Sequence, residues 1–244
     1  QGEDIGLLHV EIVDRLVREF KVQANVGKPQ VSFREAIKGV GCAEGRFESQ
    51  GTGKEQYGHV EIELSPGETG SGNIFESAVA EELIPPIFVE AINKGVLSSL
   101  DSGPLIGYPM LSVRARLVGG SYDEEKSTEM AFGVAATMAC RKAALSAEPI
   151  LMEPLMLVQV ISPEEYLGDV INDLNKKRAQ IGKVEAEGSV QIVSAKVPLA
   201  EMFGYSTDLR SNTQGRATFT MQFSEFAEVP ERRAKSIIQK IRGV

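Results

Sequence analysis

The sequence predicts an α+β chain of two domains, and three observations carry that prediction. Its 244 residues, 42% hydrophobic and 25% charged, have an ordinary globular composition and exceed a typical single domain of about 100–200 residues. Strand-like alternation and helix-like periodicity both occur, interspersed along the chain. After residue 152 the elements fall in the order strand, helix, strand, strand, helix, strand.

Leu7, Leu8, Ile12, Leu16 and Phe20 share one helical face, so residues of about 6–20 read as an amphipathic helix, followed by a short strand over Val22–Val26. A lone helix and strand cannot close a core, so residues 1–28 either dock on the rest of the chain or have lost partners of their own. From Pro29 the pattern turns β-rich. Val31, Phe33 and Glu35 alternate with Ser32, Arg34 and Ala36, and Val60, Ile62 and Leu64 alternate with Glu61 and Glu63. Pro66-Gly67 ends the second of these strands, and Gly70-Ser71-Gly72-Asn73 reads as a loop tip. Pro85-Pro86 opens a helix running to about Leu100. A strand over Leu111–Val118 precedes Gly119-Gly120. Residues 130–147, dense in Ala with Met130, Phe132, Val134 and Met138 as apolar core positions, form a nearly buried helix stopped at Glu148-Pro149.

Leu155–Ile161 is an apolar strand, and Ser162-Pro163-Glu164-Glu165 has the form of a capping box with proline at the first helical position. Tyr166, Leu167, Val170, Ile171 and Leu174 share the face of the helix that follows. A strand around Gly182–Ala186 pairs with one from Val190 to Val197. Pro198 opens a second helix bearing Leu199, Met202, Phe203 and Leu209, with Gly215 at its stop, and Phe219, Met221 and Phe223 mark the last strand. This βαββαβ order over residues 153–229 is that of a ferredoxin-like unit, leaving 29–152 as a separate βαβ-containing domain and 230–244 as a C-terminal helix. Such a fold by itself names no function.

Taken alone, the net charge of −8 argues against nucleic-acid binding, since phosphate contacts are made by Lys and Arg. The charge is uneven: residues 29–152 hold ten basic against 17 acidic residues, whereas 230–244 hold five against one. The two cysteines, Cys42 and Cys140, are too few and too far apart for a disulfide framework or a zinc site, which favours a reduced, cytoplasmic setting. No apolar run is long enough to span a membrane, and the opening Gln1-Gly2-Glu3-Asp4 is not a signal peptide.

Conventional catalytic chemistry is missing. Gly51-Thr52-Gly53-Lys54 fails as a phosphate loop because Glu48 stands where the first glycine belongs and Glu55 where Ser or Thr must follow the lysine. Only His9 and His59 could serve zinc or triad chemistry. His59, on the polar side of a strand, reads as an exposed histidine, and His9 as packed or capping. Asp123-Glu124-Glu125 beside Glu129 suits an acidic loop at a helix N-terminus better than a cation site. No catalytic residue and no metal ligand is therefore assigned. Lys176, Lys177, Arg178, Lys183, Arg210 and Arg216 gather near helix ends, where they suit either the helix dipole or phosphate contact.

Longer stretches resemble translation elongation factor G. Gly6-Leu7-Leu8-His9-Val10-Glu11 and Val26-Gly27-Lys28-Pro29-Gln30-Val31 resemble the end of its domain III and the entry to domain IV. Glu55-Gln56-Tyr57-Gly58-His59-Val60, Gly119-Gly120-Ser121-Tyr122, Ser127-Thr128-Glu129-Met130-Ala131-Phe132 and Glu153-Pro154-Leu155-Met156 resemble domain IV. Gly168-Asp169-Val170-Ile171-Asn172-Asp173-Leu174-Asn175 and the run from Pro198 to Ser211 resemble domain V, and the latter is long and specific.

The resemblance implies an elongated domain IV, similar to a domain of a small-subunit ribosomal protein, followed by ferredoxin-like domain V. It also implies a translational GTPase promoting tRNA and mRNA translocation, whose GTP and Mg²⁺ belong to a G domain not found in these residues. Recycling and ribosome-protection GTPases share the same domains, and a non-ribosomal ferredoxin-like ligand-binding module is the alternative from another class. The expected partner is the ribosome, meaning both subunits, their RNA, and tRNA and mRNA at the decoding region. The expected state is a cytoplasmic monomer without membrane contact.

By the same resemblance, the domain IV tip comprises the loops Gln50–Gln56 and Gly119–Lys126. Its expected decoding-region contacts are Gln50, Gly51, Thr52, Gly53, Lys54, Gly119, Gly120, Ser121, Tyr122, Asp123 and Glu124. Large-subunit RNA contacts fall to Arg178, Gln180, Arg210, Ser211, Thr213, Gln214 and Arg216. Two departures suggest a divergent paralogue. The family usually has His directly after Gly-Ser-Tyr, where Asp123 stands, and more often an Arg-containing glycine-rich first loop.

Overall fold

The computed structural model describes residues 31–49 and 55–243, so the helix expected over 6–20, the strand over 22–26 and His9 lie outside the described residues. Two compact units emerge. One holds Phe33–Met152 with the described residues from Glu228 onward, the other Glu153–Ala227, and the division falls inside a single long strand, β6 (Pro149–Pro163).

In the first unit, β2 (Gly41–Ser49), β3 (Gln56–Pro66), β5 (Val113–Ser121) and β4 (Ile74–Ser77) form a sheet in that order, with β4 parallel to β5 and the other pairs antiparallel. Helices α1 (Pro86–Leu100) and α2 (Glu129–Ser146) belong to the same core. Val60, Ile62 and Leu64 of β3 and Val113, Ala115 and Leu117 of β5 are fully buried. Strands β2 and β4 escape the sequence reading. Glycine and charge interrupt the first, and only two apolar residues mark the second.

Helix α2 corrects the expected core. Its buried residues are Ala131, Phe132, Ala135, Ala136, Ala139, Cys140, Ala143 and Ala144, while Met130, Val134 and Met138 are exposed. The cause is proximity: a Cβ on Gly45 would overlap the Ala135 carbonyl, and one on Gly58 would lie 2.6 Å from that of Ala131. Only small side chains fit where the helix lies this close to its sheet, so Met130, Val134 and Met138 face outward, while the buried Phe132 packs on Phe88 of α1, ring centroids 4.7 Å apart. Thr128 starts the helix, its hydroxyl oxygen accepting the Ala131 N–H at 3.2 Å.

Strand β1 (Arg34–Ile37) pairs antiparallel with residues 149–152 of β6. Alternation along β1 places Glu35 inward, and its fully buried carboxylate accepts the N–H groups of Leu105, Ile106 and Tyr108 at 2.7, 2.9 and 3.1 Å. Helix α6 (Glu231–Arg242) reaches the same loop, with Arg242 Nε donating to the Leu105 carbonyl at 3.0 Å.

In the second unit, β6 lies between β9 (Thr218–Glu228) and β8 (Val190–Pro198), and β7 (Gln180–Glu187) pairs with the far side of β8. Val158, Val160, Val193, Ala195 and Val197 pack with Val170 and Leu174 of α3 (Leu167–Lys176). Two local expectations fail. The Ser162 capping box does not form: Pro163 is still strand, a 3₁₀ turn over Glu164–Tyr166 precedes α3, and the buried Ser162 hydroxyl has no hydrogen-bond partner. The second helix is two, α4 (Leu199–Met202) and α5 (Tyr205–Asn212), because Gly204 takes a left-handed conformation between them.

Gly45→Ala should cost about 1–3 kcal/mol, because the added methyl must move α2 off the sheet. Urea unfolding should show the lowered midpoint.

Candidate functional site

The tip region begins where β2 and β3 close at Ser49↔Gln56. Gln50, Gly51, Thr52, Gly53 and Lys54 lie outside the described residues. Gly119, Gly120 and Ser121 are not loop residues as expected but the end of β5, paired with Glu61, Val60 and His59. A bulge between Glu61 and Ile62 of the partner strand shifts the register, so Leu117 pairs with Ile62 and Gly119 already with Glu61. Past the bulge the faces exchange. Ser121 Oγ therefore meets Tyr57 OH at 2.7 Å and His59 Nδ1 at 3.0 Å. Tyr122 turns inward onto Phe88, ring centroids 6.4 Å apart, and packs half-buried against the core. The expected solvent-exposed His59 is thus largely covered, its side chain 18% exposed.

Asp123 has a structural task. Its Oδ1 accepts the N–H groups of Glu125 and Lys126, both at 3.0 Å, while its own N–H donates to Ser127 Oγ at 2.9 Å. Carboxylate and hydroxyl together close a five-residue turn, leaving Glu124 and Glu125 exposed. The turn is tied to the base of the first loop. Tyr57 N–H donates to the Lys126 carbonyl at 2.9 Å, and Lys126 Nζ pairs with Glu55 at 2.8 Å. Hydrogen bonding to Glu55 and its charge raise the Lys126 ammonium pKa. The two tip loops therefore spring from one hydrogen-bonded base.

The second group of candidates divides. Arg178, in the left-handed region at φ 60°, points inward: Nη1 and Nη2 donate to the two Glu153 oxygens at 2.8 and 2.9 Å, and Nε to Glu201 at 3.1 Å. Glu153 is only 4% exposed, and its hydrogen bond leads the causes that raise the Arg178 pKa. Thr213 is fully buried, its hydroxyl donating to the Leu209 carbonyl at 2.7 Å and accepting from Ala217 N–H at 3.2 Å. Both side chains are engaged within their own unit; Thr213 is closed off from solvent, whereas Arg178 remains partly exposed. Arg210, Ser211, Gln214 and Arg216 are exposed together on α5 and the turn after it, and Gln180 is exposed at the start of β7. Arg216 pairs with Glu165 at 2.7 Å across open solvent, whereas among the described residues no ion pair engages Arg210.

Two family models match the chain in succession. A model described as elongation factor G, domain IV matches residues 29–148, and one described as elongation factor G C-terminus matches 150–237. The chain belongs to the elongation factor G family. Elongation factor G 2 of Desulfotalea psychrophila is 56% identical over 241 residues, 98% of this chain and 35% of that protein. A crystal structure of a Thermus thermophilus protein superimposes with a TM-score of 0.86 at 35% identity, covering 98% of this chain and 36% of that one. The chain thus spans about a third of the length of these relatives, and the structural likeness supports the α+β description of domains IV and V.

Sequence reading misses the Tyr57–Ser121–His59 cluster. The bulge that assembles it leaves no periodic trace beyond the Gly119-Gly120 pair.

Asp123→Ala should open the tip turn, raising hydrogen exchange at the Glu125 and Lys126 amides, while Asp123→Asn keeps an oxygen acceptor and stays near wild type. Arg178→Ala strands a buried carboxylate and should cost about 3 kcal/mol in denaturant unfolding.

Proposed function

We infer that this chain is the ribosome-engaging part of a longer translation factor that promotes tRNA and mRNA movement during elongation. The observation that carries the reading is the head-to-tail match of domain IV and the elongation factor G C-terminus along one chain. The tip loops on their shared base would enter the decoding region, held in shape by Asp123 and Tyr57. The turn bearing Arg210, Ser211, Gln214 and Arg216 would meet large-subunit RNA, with arginine supplying phosphate contact and the polar side chains hydrogen bonds. The factor would act as a cytoplasmic monomer. GTP with Mg²⁺ would be bound and hydrolysed by a G domain of the longer protein, since Gly51–Lys54 lacks the residues a phosphate loop needs.

The acidic turn favours a second reading within the same class. Glu124 and Glu125 stand exposed where phosphate is to be approached, and carboxylates there repel it. Slow translocation combined with ribosome recycling or protection would fit such a tip. Asp123→His in the full-length factor, with the family's usual first loop, separates the two. Faster tRNA–mRNA movement supports the specialised role, and an unchanged, already rapid rate supports ordinary translocation.

For the RNA contacts, full-length Arg210→Ala/Arg216→Ala should bind ribosomes more weakly, with the slope of log K against log salt reduced by about 1 per arginine. Cosedimentation across a salt series measures it. Undiminished binding with the wild-type slope would sink the assignment.

A further inference from the structure

On the sheet face formed by the outward residues of β2 and β3, three side chains with metal-binding atoms converge. Glu44 stands directly across from Glu61 in the β2–β3 register, and His59 is two residues before Glu61 on the same face. One ligand atom from each lies within 4.8 Å of the others, and His59 Nε2 is 3.5 Å from Glu44 Oε2. An imidazole nitrogen with two carboxylates is a donor set for a first-row divalent cation.

Three observations outside the triad favour a ligand. The first is the tautomer. Tyr57 OH can donate to Ser121 Oγ, which can in turn accept the Nδ1 proton of His59; Nε2 then keeps its lone pair toward Glu44. Metal-binding histidines are oriented in this way by a hydrogen bond to the other ring nitrogen. The second is room. A Cβ on Gly119 would stand 2.7 Å from Glu61 Oε2, so the glycine leaves the space this carboxylate occupies. The third is charge. Like charges directly opposite each other on neighbouring strands destabilise a sheet, yet among the described residues no Lys or Arg side chain pairs with Glu44 or Glu61. Nearby cations are engaged elsewhere: Arg46 with Glu48, Arg116 with Glu63, and Lys142 Nζ with the Glu44 main-chain carbonyl at 3.3 Å.

We propose that Glu44, His59 and Glu61 bind a divalent transition-metal ion, with Zn²⁺ the best fit. Three protein ligands leave at least one coordination position for water or another oxygen ligand. The site shares Ser121 and Tyr57 with the base of the tip loops, so an ion there would brace the strands from which both loops spring.

The test is calorimetric titration of the chain with ZnCl₂, with Co²⁺ absorption as a report on the ligands. One equivalent should bind. His59→Gln or Glu61→Gln should abolish it, and Ser121→Ala, which leaves all three ligands in place, should weaken it about tenfold to a hundredfold. Cys42→Ser should change nothing, and the Co²⁺ complex should lack thiolate charge-transfer bands. Circular dichroism checks that each variant is folded. Failure of the wild type to take up Zn²⁺, survival of binding in His59→Gln, or its loss in Cys42→Ser would each overturn the proposal. None of these measurements involves the ribosome.

Discussion

The closeness of α2 to its sheet is the constraint on which the first unit depends. Glycines beneath the helix and alanines along it bring backbone almost onto backbone, so that core is made of main chain and methyl groups as much as of large side chains. Dispersion falls steeply with separation, and a helix seated this low has many close contacts and few adjustable ones. The β2–β3 hairpin, the bulge at Glu61 and the tip turn before α2 are all positioned by a helix that cannot slide outward without opening a void. The thin core also explains why Met130, Val134 and Met138 lie on the outside of a helix whose composition looks wholly buried.

Two buried carboxylates do in polar terms what the helix does in apolar ones. Glu35 gathers three amide donors from a loop whose first donor, Leu105, is 70 residues further along the chain, and Glu153 holds Arg178 in a bidentate pair. Neither has a close apolar substitute, because removing the carboxylate leaves buried donors without partners. Arg178 illustrates how a basic residue in a cluster beyond a helix can have an inward purpose. Its guanidinium is held by Glu153 and Glu201, whereas Arg210 and Arg216 are exposed.

Much of this was legible in the sequence, and the remainder has physical reasons for being hidden. The βαββαβ order, the proline-led α1 and the pairing of β7 with β8 follow from periodicity and turn chemistry. Strand β2 is obscured because the glycines that admit α2 remove the apolar alternation that marks a strand. The capping box fails because β6 continues through Pro163, so ladder pairing overrides a local signal. Among the expected contacts, the internal partners of Arg178, Tyr122 and Thr213 were hidden because residue type reveals chemistry and not direction. The His59–Ser121 contact depends on a register shift that one sequence cannot display.

That register shift has a consequence for how the end of domain IV can vary. Before Val118, odd-numbered residues of β5 face the core; after it, even-numbered ones do, as Gly120 and Tyr122 show. The single extra residue acts as a phase marker, so the loop beyond it is an exchangeable part only if the spacing from the bulge is preserved. Deleting one residue between Val118 and Asp123 would present tyrosine to solvent and serine to the core, although every side chain needed was still in the chain. Natural or engineered remodelling of this tip should therefore proceed by substitution or by insertion beyond Asp123, where the turn rather than the strand takes up the change.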